Sequence, residues 1–121
     1  LTLPKNGIRT LILKPGIIGA CESTKLWTAY AEQNEMDVVL SSSFESGLGL
    51  HWLAFTSAKL LRKQPAAGLD TAKFFKHDLI DPAFKLTNGS YVFPATRPRA
   101  NAKYLQKIAE GNSKIETETH V

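Results

Sequence analysis

Thiol chemistry is almost absent from this chain, which has one cysteine in 121 residues. Cys21 alone excludes an intrachain disulfide and fits a reducing compartment. No histidine stands near it in sequence, which argues against a catalytic thiol and for a small buried or half-buried residue. His51, His77 and His120 lack companions at ligand spacing, so no zinc site is expected. No apolar run reaches the length of a membrane span, and no signal-peptide pattern opens the chain. The phosphate-cradling glycine signatures are missing too. Gly16-x-x-Gly19 lacks the third glycine of a dinucleotide fingerprint, and Gly47-Leu48-Gly49 lacks both a later glycine and a Lys-Ser/Thr pair.

What is present describes a folded chain of at most one domain, with 43% hydrophobic and 21% charged residues. The net charge of +4 is spread among acids. Its two denser groups are Lys59, Arg62, Lys63 and Arg97, Arg99, Lys103, Lys107. The first falls where a helix should end, a favourable place for cations against the helix dipole. Neither a nucleic-acid nor a membrane partner is expected. The chain does not begin with Met and is read as a fragment.

Three segments put polar chemistry where a hydrophobic strand ends. They are Leu11-Ile12-Leu13-Lys14-Pro15-Gly16, Val38-Val39-Leu40-Ser41-Ser42-Ser43, and Ala66-Ala67-Gly68-Leu69-Asp70-Thr71. Lys14 to Ser41 is a step of 27 residues and Ser42 to Asp70 one of 28, each the length of one strand plus one crossover helix. Strands are therefore expected at 8–14, 37–43 and 66–69, with Pro15 as a stop. Helices are expected at 21–34, with Leu26, Ala29, Tyr30 and Gln33 on one stripe, at 48–62, and briefly at 72–79. The second helix is apolar almost all round and should be buried on more than one side, with Ser46 as its N-cap. Asn88-Gly89 between Phe84-Lys85-Leu86 and Tyr91-Val92-Phe93 signals a β-hairpin. A short helix is expected at 101–110, and a polar, disordered tail after it.

Three βα units do not close a sheet, and a (β/α)8 barrel takes about 250 residues. The reading is α/β: the last three βα units of a TIM-type barrel over 1–80, a post-barrel extension over 81–111, and a tail over 112–121. Ligands of parallel α/β folds bind at the carboxyl ends of the strands, where the lysine, the serine run and Asp70 all fall.

Leu13-Lys14-Pro15-Gly16-Ile17-Ile18-Gly19, Ser41-Ser42-Ser43-Phe44-Glu45-Ser46-Gly47-Leu48-Gly49-Leu50 and Gly68-Leu69-Asp70-Thr71 resemble the C-terminal barrel strands of the o-succinylbenzoate synthase family. That family lies in the muconate-lactonizing branch of the enolase superfamily. The resemblance covers roughly residues 8–75. It implies a lyase that dehydrates a cyclohexadiene carboxylate in menaquinone or phylloquinone synthesis, with Mg2+ steadying an enediolate. It implies a cytoplasmic location, or an organellar one in a photosynthetic eukaryote. Lys14 matches the sixth-strand lysine, which faces the ring and the developing anion. Ser41, Ser42 and Ser43 match the seventh-strand end and would line the pocket near the substrate carboxylates. Gly68 and Leu69 match the eighth-strand end, where backbone amides can face the ligand.

The second-strand lysines and the three metal-binding carboxylates of the family have no counterpart here, so no metal ligand is assigned to this chain. They would come with the missing N-terminal barrel half and capping domain, and the fragment by itself is expected to be inactive. Pro94-Ala95-Thr96-Arg97-Pro98-Arg99 also departs from the family's Gly-rich closing segment. The alternatives are an N-acylamino acid racemase or dipeptide epimerase of the same superfamily, where the same lysine is an acid/base, and a non-catalytic basic α/β binding module.

Some nearby residues have plainer structural readings. Glu45 is read as an orienting hydrogen-bond partner, and Asp70 as a substrate contact or a helix N-cap. His51 is read as packed or hydrogen-bonded. Trp27, Trp52, Phe74 and Phe75 are read as packing residues.

Overall fold

A computed structural model describes residues 7–63 and 65–105 of the chain. The expected tail and most of the expected helix at 101–110 lie outside the described residues. The order is β1 (Thr10–Leu13), α1 (Pro15–Ile18), α2 (Ala20–Gln33), β2 (Asp37–Leu40) and α3 (Gly47–Leu60), followed by a 3-10 turn (Ala72–Phe74). Two-residue strands β3 (Ile80–Asp81) and β4 (Arg99–Ala100) and a second 3-10 turn (Ala102–Tyr104) complete it.

β1 and β2 pair in parallel, Thr10 opposite Asp37 through Leu13 opposite Leu40. The expected third strand is reduced to one parallel bridge, Ser41 to Gly68, and its helix to the 3-10 turn. The fold is thus mixed α/β with two βα units and a residual third. Too few branched residues stand in Ala66-Ala67-Gly68 to carry a longer strand.

Pro15 does not merely stop β1. It occupies the first turn of α1, where its missing N–H costs no intrahelical bond, and it holds Lys14 extended at φ −114°. Gly19 ends α1 and opens α2 at φ 101°, a conformation that needs glycine.

The buried stripe of α2 is Thr24, Thr28 and Ala31, with Trp27 and Tyr30 half-buried; Leu26, Ala29 and Gln33 face solvent. The stripe departs from the expected one because threonine can pack as an apolar residue once its hydroxyl is bonded. Thr28 Oγ1 donates to the Thr24 carbonyl at 2.8 Å. Cys21, at the start of the helix, is exposed rather than buried.

Two apolar clusters hold the chain together. The first joins Leu13, Val38 and Leu40 of the sheet to Ala31, Met36 and Leu61. The second joins Leu50, Leu53 and Ala54 of α3 to Leu69 and Phe84. α3 buries one broad face and leaves Leu48 and Phe55 exposed, so it is not enclosed on several sides.

Ser46 is the residue before α3, but its side chain makes no capping bond. Asp78 does that work from a distance: its carboxylate accepts from Gly47 N at 2.9 Å and from Leu79 N and Phe84 N at 2.7 Å each. A Cβ on Gly47 would lie 1.9 Å from Asp78 Oδ2, so the close approach requires glycine here.

The Asn88-Gly89 turn forms with both residues at positive φ and Thr87 bridged to Ser90, but no ladder extends beyond it. Phe84 and Tyr91 stack across it instead, ring centroids 4.2 Å apart. Phe74 and Phe75 are exposed, contrary to the packing expected of them.

Candidate active site

Strand alternation decides which residues at the sheet's carboxyl edge meet one another. On β1, Leu13 points to the helices, so Thr10, Ile12 and then Lys14 fall on the opposite face. On β2, Val38 and Leu40 point to the helices, so Val39 and then Ser41 share the face of Lys14. No described helix covers that face, and Ile12 on it is 68% exposed.

Lys14 is partly buried at the end of β1 and reaches across to the next strand. Its Nζ donates to the Ser42 carbonyl at 2.5 Å and to Ser41 Oγ at 3.4 Å. The lysine and the serine run, 27 residues apart, are therefore brought together.

The three serines do not act alike. Ser41 is half-exposed beside Lys14. Ser42, by alternation, turns its side chain to the covered side, where it is 3% exposed and its Oγ lies 2.9 Å from Thr71 Oγ1. Its hydroxyl is thus a buried structural group rather than a pocket lining, and its carbonyl is the part that meets Lys14. Ser43 offers its backbone N–H to Glu45 Oε2 at 2.5 Å, while Ser43 Oγ and Glu45 Oε1 are buried with no hydrogen-bond partner among the described residues.

Gly68 and Leu69 are committed elsewhere. Gly68 N donates to the Leu40 carbonyl at 3.0 Å, and Gly68 O accepts from Ser42 N at 2.8 Å. Leu69 N donates to the Ala67 carbonyl at 3.1 Å, and its side chain is buried in the second cluster. Sheet pairing and a tight turn use both amides. Gly68 still matters: a Cβ there would come 2.6 Å from Ser41 Oγ.

The remaining polar groups sit apart from this edge. Asp70 pairs with Lys73 and makes no capping bond. His51 Nδ1 is 2.6 Å from Tyr91 Oη, and His77 stacks on Tyr104 with centroids 4.2 Å apart. Burial, and then the charge of Asp78, push the Tyr91 hydroxyl above its ordinary pKa of 10.0.

The donor set does not fit a resident Mg2+, which wants oxygen ligands in octahedral array. Glu45 holds a backbone amide, Asp37 and Asp70 hold lysines, and Asp78 caps α3. No three metal-ligating side chains converge among the described residues. No helix among them is long and apolar enough to cross a membrane.

Sequence reasoning missed Asp78 and the buried face of Ser42. Alternation from Val38 and Leu40 was a usable signal for Ser42; nothing local marks Asp78 as a remote cap.

No protein-family model matches the chain. Curated proteins do. It is 37% identical over 76 residues to the o-succinylbenzoate synthase of Vibrio cholerae serotype O1 (strain ATCC 39315 / El Tor Inaba N16961), a match covering 63% of this chain and 23% of that protein. It is 36% identical over 76 residues to the o-succinylbenzoate synthase of Klebsiella pneumoniae (strain 342), with the same coverage. That of Enterobacter sp. (strain 638) is 35% identical over 74 residues, covering 61% of this chain and 23% of the relative. The match thus spans about a quarter of the length of these relatives. Over that span, the chain is similar to o-succinylbenzoate synthases.

Proposed function

We propose that the chain forms the sixth to eighth strands of an enolase-superfamily barrel and contributes Lys14 to a lyase of the o-succinylbenzoate synthase type. The observation that carries this reading is the position of Lys14. It stands at the carboxyl end of a parallel strand, on the uncovered sheet face, with its ammonium held by Ser42 O and Ser41 Oγ. An ammonium has three donors, and the described residues engage two of them, which leaves one for an anion on that face. A reaction that removes a proton beside a carboxylate builds negative charge on the carboxylate oxygens. A fixed cation within hydrogen-bond reach stabilises that charge more than it stabilises the substrate.

The similarity to the curated synthases supports a small carboxylate substrate, in which Lys14 and Ser41 flank the developing anion. Mg2+ of the whole enzyme would be held by residues beyond those described, since no three metal-ligating side chains converge among them, and no step is assigned to it. The chain alone is proposed to lack dehydratase activity, with the rest of the barrel completing the pocket.

The test is Lys14→Ala in the enzyme carrying this segment, assayed for o-succinylbenzoate formation. A loss on the order of 10²-fold in kcat is expected for removing a positioned charge. Turnover near that of the unmodified enzyme would remove Lys14 from the site.

A further inference from the structure

One peptide group at the strand end is gripped from both sides. The carbonyl of Ser42 and the N–H of Ser43 belong to the same peptide plane. Lys14 Nζ donates to the carbonyl at 2.5 Å, and Glu45 Oε2 accepts from the N–H at 2.5 Å. The direct ion pairs among the described residues are Arg62–Glu32, Lys63–Asp37 and Lys73–Asp70; Lys14 and Glu45 are linked through the peptide instead. The carboxylate sits at the positive end of the peptide dipole and the ammonium at the negative end. Each bond therefore polarises the peptide in the sense that strengthens the other.

The surroundings are shaped to admit Glu45. A Cβ on Gly16 would lie 2.7 Å from Glu45 Oε1, and one on Gly49 would lie 2.6 Å from Glu45 Cβ. Neither glycine has a positive φ, so the backbone conformation does not demand them. Seating the carboxylate accounts for Gly16, and Gly49, in the first turn of α3, leaves room for the Glu45 stem. Glu45 Oε1 is nevertheless buried without a partner among the described residues, an arrangement that costs stability. A group held at such cost, one peptide away from Lys14, has a role other than packing.

We propose that Glu45 is a positioning residue that fixes the Lys14 ammonium through the Ser42–Ser43 peptide. The inference rests on the reading of Lys14 as a residue of the site. Glu45→Ala removes the acceptor. Glu45→Gln keeps an acceptor oxygen for Ser43 N. Gly16→Ala leaves the charge in place but pushes the carboxylate off its seat.

The experiment measures hydrogen exchange of the Lys14 ammonium by NMR in the full chain, beside kcat and KM for o-succinylbenzoate formation in the enzyme that carries it. In Glu45→Ala and Gly16→Ala, exchange should quicken by about tenfold or more, and kcat should fall on the order of 10- to 10²-fold with KM changed less. Glu45→Gln should recover a large part of both. Unchanged Lys14 exchange in either Glu45→Ala or Gly16→Ala would overturn the proposal, and so would a Gln variant as impaired as the Ala variant. If exchange responds as expected while Lys14→Ala retains turnover, positioning by Glu45 stands and the proposed function falls.

Discussion

The two faces of the β1–β2 sheet have opposite fates. On one, Leu13, Val38 and Leu40 are buried against Ala31, Met36 and Leu61. On the other, Ile12 and Val39 share a face with Lys14 and Ser41 that no described helix covers, Ile12 exposed and Val39 half-buried. Strands apolar on both faces are the mark of parallel sheets covered on both sides. The uncovered face keeps two apolar residues, Ile12 and Val39, between Thr10 and Asp37 at one end and Lys14 and Ser41 at the other. The proposed barrel accounts for that, since its interior would lie on this side. On the proposed function, stability and chemistry are divided by face: one side holds the fold, the other presents Lys14.

Substitutions can break that division. The largest stability effect is expected on the covered face. Leu40 is completely buried, so Leu40→Ala should cost about 2–5 kcal/mol in chemical denaturation. A cost under about 1 kcal/mol would mean the first cluster does not hold the sheet.

Ser42→Leu comes next. The leucine forces a larger side chain into a packed site and removes the hydrogen bond to Thr71 Oγ1, which should destabilise by about 1–3 kcal/mol. If the melting temperature is unchanged while substrate use fails, Ser42 belongs with Ser41 on the open side after all.

The smallest effect on the fold is expected from Ile12→Thr, within about 0.5 kcal/mol for an exposed position. The same change should lower self-association of the isolated chain, measured by sedimentation, because it removes apolar surface from an unpaired sheet face. A destabilisation comparable to that of Leu40→Ala would show that the open face is covered in solution.

Much of the frame was legible because it is local. Apolar, branched runs marked β1 and β2, and α2 and α3 appear within a few residues of their expected bounds. The 27-residue step from Lys14 to Ser41 correctly put a lysine beside a serine run at one sheet edge. The departures share a cause: partners distant in the chain. Thr24 and Thr28 form the inner stripe of α2 because their environment is buried and Thr28 bonds the backbone, a pairing that residue type alone does not announce. Asp78 caps α3 from 31 residues away. Phe74 and Phe75 have core-like side chains on a segment whose helix did not form, so they remain at the surface.

By itself, the sequence determined the α/β alternation, the approximate bounds of α2 and α3, and the resemblance, since each depends on neighbours in the chain or on a short motif. The tertiary structure decided which serine faces Lys14. It also set which backbone amides are spent on pairing, and where the Glu45 carboxylate is seated. Those outcomes depend on strand register and on approaches of a few ångströms between distant segments. Only packing fixes distances of that kind.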